Sequence, residues 1–290
     1  MVRCYIFLIM ENNYTIKFGE YDNDLIQKVV DLFTVSFYWS KKYSMEYLTW
    51  QYFENPNGNV VSFNAFAENG DLAAHYAAIP INMLIAGKKE KGLLSLNTAT
   101  HPDHQGHRLF TTLADKSYNY AAENGYKYVI GVANANSTHG FLKYLKFDMV
   151  APLEFKIGMG DIFKAPVSED LNRVLYDKET LLWRLKCPEF RYSTAGNTIH
   201  SSRPEPLFHT SVAKMPEGMN GEMLGLKKTV DIFNIYIGIG LNNKGGLYFN
   251  LPKFIKRSPF NLIFRDLTGG TLPKITKDNI FFQLLDYDVA

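Results

Sequence analysis

The chain has 290 residues, 46% of them hydrophobic and 21% charged, with a formal net charge of +2 at pH 7. That balance fits a folded globular protein, and a near-neutral charge gives no electrostatic footprint for a nucleic-acid partner. The two cysteines, Cys4 and Cys187, cannot build a disulfide framework, so a reducing compartment such as the cytoplasm is expected. No apolar run reaches the length of a membrane span, and no membrane partner is expected.

Residues 1–10, MVRCYIFLIM, are apolar with one Arg. A signal peptide would need a small-residue cleavage site, but ENNYTIKF follows directly as strand. Either Met10 is the natural start or the segment is an extra edge strand. Residues 14–18 alternate as a strand. Asp22 can cap a helix whose stripe is Leu25, Ile26, Val29, Val30, Phe33 and Phe37, and Ser44 a second helix through Tyr52. Asn55-Pro56-Asn57-Gly58 is a turn. Residues 60–67 and 72–79 read as strands of a hairpin around Asn69-Gly70. Residues 81–86 and 93–100 flank a second turn at Gly87-Lys88-Lys89. Of the aromatics Phe37, Tyr38, Trp39, Trp50 and Tyr52, most are expected in the core, with one or two free to face a pocket.

The stretch 93–147 is the most informative. It runs apolar strand, polar loop (Pro102-Asp103-His104-Gln105-Gly106-His107), amphipathic helix over 108–124, apolar strand over 128–132, Asn-rich loop over 134–137, then a second helix. Leu109, Leu113 and Tyr120 fall near one face of the first helix, and Gly125 is a good stop. The opening turn of a helix has about four N–H groups without intrahelical partners and roughly half a positive charge. Gly106 lets the backbone approach a ligand, and His107 and Arg108 add basic side chains, so the junction suits a diphosphate. It matches neither GxxxxGK[ST] nor GxGxxG.

His101-Pro102-Asp103-His104-Gln105-Gly106-His107-Arg108-Leu109-Phe110 resembles the phosphate loop of the GNAT acyl-CoA N-acyltransferases, in which a Gln or Arg is followed by two spaced Gly or Ala positions. The Asn134-Ala135-Asn136-Ser137 loop and the run Phe141-Leu142-Lys143-Tyr144-Leu145-Lys146-Phe147 resemble the family's later segment. The sequence departs from the pattern at four places. Arg108 and Phe110 replace the loop's later glycines, Lys146 replaces a Gly, and Leu142 stands where a catalytic Tyr is common. Arg108 is expected to be helical already, with no need of positive φ, and Phe110 to point into the core.

The resemblance implies a mixed, mostly antiparallel α/β sheet flanked by helices over residues 10–160. It also implies acetyl-CoA as co-substrate, with no metal. Carried over by position, Ala99 and Thr100 supply backbone near the thioester. Gln105, Gly106, His107, Arg108, Leu109 and Phe110 supply N–H groups for the diphosphate, and Asn136 holds the pantetheine arm or the loop entering the helix. His75, Glu68 and His101 are candidate bases for an amine, and Tyr144 is a candidate acid two residues from Leu142. None of the four is assigned.

Beyond Gly158, residues 161–166 read as a linker to a second half, 161–290. Glu179-Thr180-Leu181-Leu182-Trp183 echoes Glu46-Tyr47-Leu48-Thr49-Trp50, each close before a Pro. The second half is therefore expected to be a diverged α+β copy lacking the phosphate loop. It has strands near 232–239 and 280–285, turns at 242–246 and Gly269-Gly270, and a solvated basic cluster of Lys253, Lys256 and Arg257. The leading functional expectation is an N-acetyltransferase acting on a primary amine of a small molecule, such as an amino sugar. The alternatives are a non-catalytic GNAT-fold binding protein and a FemABX-type aminoacyl transferase, which would bind tRNA.

Overall fold

The computed structural model describes residues 9–11, 13–37, 43–163, 168, 170–202, 210–230, 233–241, 245–251 and 259–287. Cys4, Tyr38, Trp39, Ile232, Asn242, Asn243, Lys244, the Lys253, Lys256 and Arg257 cluster, and 164–166 of the expected linker lie outside them.

Strand β1 (Ile9–Glu11) pairs antiparallel with β2 (Tyr14–Phe18), the arrangement of an added edge strand. Helix α1 (Asn23–Ser36) starts where the Asp22 carboxylate accepts the Leu25 N–H at 2.8 Å, and it buries Ile26, Val29, Leu32 and Phe33. Ser44 caps α2 (Met45–Phe53) in the same way through the Tyr47 N–H. Strands β3 (Val61–Phe66), β4 (Leu72–Ile85) and β5 (Lys88–Thr100) form an antiparallel meander. Sequence divides 72–86 into two strands, but β4 runs on through Pro80. That proline lies between the Ala78 end of the β3 ladder and the Met83 start of another, so its missing N–H leaves no partner on that edge. The second turn is consequently Ala86-Gly87, both with positive φ (49° and 76°).

Helix α3 (Leu109–Glu123), strand β6 (Tyr128–Ala133), helix α4 (Ala135–Tyr144) and strands β7 (Asp148–Pro152) and β8 (Glu154–Met159) complete the first half. Helix α3 lays Leu109, Leu113, Ala114, Tyr118 and Ala121 on one face of the meander, against Phe63, Ala65, Tyr76 and Ala78. Helices α1 and α2 cover the other face. Tyr118 is the fully buried tyrosine of α3; Tyr120 stays half-buried against Phe18 and Phe63.

The second half contains β9 (Asn172–Val174), α5 (Lys178–Leu185), β10 (Arg191–Ala195), β11 (Thr198–Ser202), β12 (Thr210–Lys214), β13 (Lys227–Lys228), β14 (Asn234–Ile239), β15 (Leu247–Asn250), β16 (Asn261–Asp266) and β17 (Ile280–Gln283). Part of its order parallels the first, although its crossover holds no helix among the described residues. A capped helix precedes three antiparallel strands, β10-β11-β12, and a crossover returns β14 parallel to β12, just as β6 returns parallel to β5. Strand pairing crosses the expected boundary at 160. Strand β8 lies between β14 and β15, β16 lies between β6 and β7, and β9 pairs with β4, so the halves exchange strands. No helix among the described residues is long and apolar enough to cross a membrane.

Candidate active site

Strands β5 and β6 are paired only at Leu93, Leu94 and Ser95, opposite Val129, Ile130 and Gly131. Beyond Ser95 they part, although β5 continues to Thr100 and β6 to Ala133. In the parted stretch β5 also slips against β4. Ala77 opposes Leu96, but His75 opposes Ala99, so Asn97 and Thr98 share the space of one residue. Asn97 takes the extra turn with φ +45°. This is a β-bulge, which bends a strand and re-aims its neighbours. On the side facing β6, the backbone of 96–100 has no strand partner among the described residues.

The loop 101–107 leaves from the open end of that gap. His101 accepts the Asp103 N–H on Nδ1 at 3.3 Å, closing a 3-10 turn over Pro102–His104. The Tyr14 hydroxyl meets His104 Nδ1 at 3.0 Å, and the Tyr14 ring also lies against His107, pinning the loop to β2. Gly106 has φ +84° and open space where a Cβ would stand. Gln105, Gly106, His107 and Arg108 are exposed, and no side chain caps the N-terminus of α3. Among the described residues no side chain is seen bonded to its first amides.

Arg108 corrects one expectation. It is not yet helical: it sits just before the helix in the left-handed region, φ +58°. Lys146 stands likewise at φ +56°. Both replace glycines of the family pattern, and both keep the backbone that glycine favours. Phe110 packs on Phe141 at 5.1 Å and on Tyr76, and its ring fills the space where a Cβ on Gly140 would stand.

The candidate acid and bases fall apart in space. His75 is fully buried; its Nδ1 meets Asn64 Oδ1 at 2.7 Å and its Nε2 meets the Tyr52 hydroxyl at 2.9 Å. Burial lowers its pKa from 6.5 to about 3. With both ring nitrogens engaged, it is part of the wall and does not face the gap. Glu68 is exposed at the β3–β4 hairpin, and His101 is occupied with its own turn. Tyr144 is 56% exposed on the last residue of α4, beside His139. Asn136 is exposed in the first turn of α4; the residue that shapes the loop is Asn134, whose Oδ1 accepts the N–H groups of Asn136 and Ser137 at 3.0 Å each. Ala99 and Thr100 lie on the unpaired end of β5.

A parallel strand pair splayed beside an unblocked, left-handed entry to a helix is the geometry expected for an acyl-CoA cleft. Residues 18–144 match the family model of the GNAT acetyltransferase domain. Residues 18–144 are thus a GNAT-family domain. No curated protein matches it significantly. Its fold is similar to that of a GCN5-related N-acetyltransferase from Anabaena variabilis (10% identity, 88% of this chain and 73% of that one, TM-score 0.58). It is similar also to a probable N-acyltransferase from Enterococcus faecalis (10% identity, 88% and 73%, TM-score 0.56). A Pyrococcus horikoshii protein assigned as an acetyltransferase is covered end to end (11% identity, 95% of each chain, TM-score 0.55). At these identities the likeness establishes the fold alone.

Asn97 and Gln51 escaped the sequence reading as site-shaping residues. Asn97 did leave a signal: a lone Asn within the apolar run Leu93–Ala99 is unfavourable in a strand yet tolerant of positive φ.

Proposed function

We propose that this GNAT protein transfers an acetyl group from acetyl-CoA to a primary amine of a small molecule, an amino sugar being one acceptor of the right chemistry. One observation carries the reading. The Gly106 and Arg108 backbone opens the free N-terminus of α3 at the mouth of the gap between β5 and β6. The N–H groups of Gln105, Gly106, His107, Arg108, Leu109 and Phe110 would hold the diphosphate, and the Arg108 guanidinium adds a charge suited to phosphate. The unpaired edge of β5 at Ala99 and Thr100 would lie along the pantetheine and thioester. Asn134, rather than Asn136 itself, sets the entry of α4 on the far side of the gap.

Acetyl-CoA supplies an activated thioester. The amine nitrogen takes the acyl group and sulfur leaves as a thiol, so one proton passes from nitrogen to sulfur. A backbone N–H already aimed where carbonyl charge develops is the main help a protein can give such a transfer. The cytoplasm remains the expected location.

Calorimetry with acetyl-CoA tests the reading. Affinity is expected within the ordinary co-substrate range of about 1 μM to 1 mM. It should be lost in Gly106→Pro, because proline cannot adopt the observed φ of +84°. Thiol release from acetyl-CoA with amino sugars, polyamines and amino acids then identifies the acceptor. Absence of binding by the parent protein overturns the proposal. Binding without turnover on any amine favours a non-catalytic role, and a salt-dependent tRNA complex favours aminoacyl transfer.

A further inference from the structure

Asn97, the bulge residue of β5, is tied to the helix covering that face of the sheet. Its Nδ2 donates to Gln51 Oε1 and also to the Tyr52 hydroxyl at 3.1 Å. Both partners are fully buried on α2. The Tyr52 hydroxyl reaches His75 Nε2 at 2.9 Å, and His75 Nδ1 reaches Asn64 Oδ1 at 2.7 Å. Strands β3, β4 and β5 and helix α2 therefore each contribute to one buried chain of hydrogen bonds.

With the Asn64 oxygen toward the His75 ring, the direction of that chain follows. Asn64 Oδ1 only accepts, so the His75 proton sits on Nδ1 and Nε2 accepts from Tyr52. The Tyr52 oxygen in turn accepts from Asn97. Past Asn97 the bonds continue from Gln51 Nε2 to the Tyr47 hydroxyl at 3.0 Å, but the carboxamides of Asn64, Asn97 and Gln51 neither take up nor release a proton near neutral pH. The chain is a brace and not a proton path.

The brace holds a strained and exposed element. Asn97 occupies a left-handed backbone, the bulge has lost register with β4, and β6 offers it no pairing. Left to itself such a stretch samples several conformations. Its amides are those that the acyl-CoA reading places beside the thioester, and electrostatic help at a carbonyl needs donors fixed in advance. Gln51 and Tyr52 fix Asn97 by the one side chain that can reach from the bulge into the core.

We propose that Gln51, Tyr52 and His75 act as positioning residues that hold the Asn97 bulge, and through it the 97–100 backbone, in the geometry acyl transfer requires. This rests on the acyl-CoA reading and adds to it a device that the phosphate loop does not contain.

The test uses the full chain with Tyr52→Phe and Asn97→Gly. The first removes only the central hydroxyl; the second keeps access to positive φ but removes the anchor. Tyr118→Phe is the control, since it removes an equally buried hydroxyl on the opposite face of the sheet. Hydrogen exchange without ligand should quicken at least about tenfold across 97–100 in both variants. Rates at 88–95 should hold, and the control should match the parent throughout. With acetyl-CoA and any amine the parent acetylates, kcat should fall about tenfold to a hundredfold while the acetyl-CoA KM stays within about twofold. Unchanged exchange at 97–100 in both variants overturns the inference even if the parent binds acetyl-CoA. A parent that binds no acetyl-CoA overturns the underlying reading whatever the exchange shows, and this inference with it.

Discussion

Trp50 and Trp183 donate their indole N–H groups to each other's backbone carbonyls, at 2.8 and 2.9 Å, with rings stacked 5.1 Å apart and 18° from parallel. The two residues end the same Glu-x-Leu-x-Trp pattern on α2 and α5. The capping residues Ser44 and Asp177 stand six positions before them, each accepting the N–H three residues on. The contact is thus reciprocal, as a local two-fold relation between the two halves requires. Trp50→Phe or Trp183→Phe removes one buried hydrogen bond and should cost about 1–2 kcal/mol in urea unfolding. The double variant should cost less than the sum, because both changes fall in one contact. Strict additivity would mean that the two bonds are energetically independent.

The strand exchange makes a second prediction. Strand β16 covers the edge of β6 at Val129 and Ile130, both fully buried. A chain ended at 160 would expose that edge and carry β8 without its partners β14 and β15. Such a fragment should aggregate or remain unfolded, because an uncovered apolar edge is a template for pairing with other chains. Fragment 161–290 supplied in trans should rescue it. A monomeric, cooperatively folding 1–160 would show that the exchanged strands are dispensable.

Arg108 and Lys146 offer a way to separate backbone strain from charge. A side chain in the left-handed region costs about 1–2 kcal/mol relative to its ordinary conformation, and glycine is free of that cost. Lys146→Gly should therefore raise stability by about 1 kcal/mol, net of the glycine's greater freedom in the unfolded chain, and leave acetyl-CoA affinity unchanged. Arg108→Gly should stabilise similarly yet weaken acetyl-CoA binding, because the guanidinium is lost from the proposed diphosphate site. Equal or tighter binding by Arg108→Gly would show that this charge does not contact the ligand.

Much of this architecture was legible before any coordinates. The caps Asp22 and Ser44 and the Asn69-Gly70 hairpin are set by neighbours in sequence, and local chemistry fixed each of them. The repeated Glu-x-Leu-x-Trp pattern marks the two helices whose tryptophans meet. What escaped was long-range or frame-dependent. Pro80 reads as a strand breaker unless the extents of the neighbouring ladders are known. Arg108 reads as helical because the amphipathic pattern of α3 starts right after it; its left-handed φ comes with the turn from the loop into α3. The exchange of β8 and β16 joins residues about a hundred positions apart, and no local pattern encodes which edge a strand will enter. Asn97 was visible as an oddity in a strand, but its meaning depended on Gln51 and Tyr52 from a helix packed across the sheet.

Two buried groups should contribute opposite slopes to the pH profile of stability, and a single substitution removes one of them. Burial raises Asp286 from 3.8 to about 7 and lowers His75 from 6.5 to about 3. For Asp286 the folded chain holds a proton that the unfolded chain has released. Its contribution is fully present below pH 3.8 and is lost as pH rises through about 7. For His75 the unfolded chain holds the extra proton, so its contribution is present above pH 6.5 and is lost as pH falls toward about 3. Between about pH 4 and 6.5 the two slopes are opposite and each is about 1.4 kcal/mol per pH unit, so they nearly cancel. Asp286→Asn keeps an oxygen to accept the Gln283 N–H that now bonds Oδ2 at 2.8 Å, but removes the titration. Relative to the parent, its unfolding free energy should climb by up to about 1.4 kcal/mol per pH unit from pH 4 to 6.5 and level off above pH 7. Urea titrations of both chains at half-unit intervals measure the difference directly, and a constant offset across that window would mean that Asp286 is ionised in the folded protein.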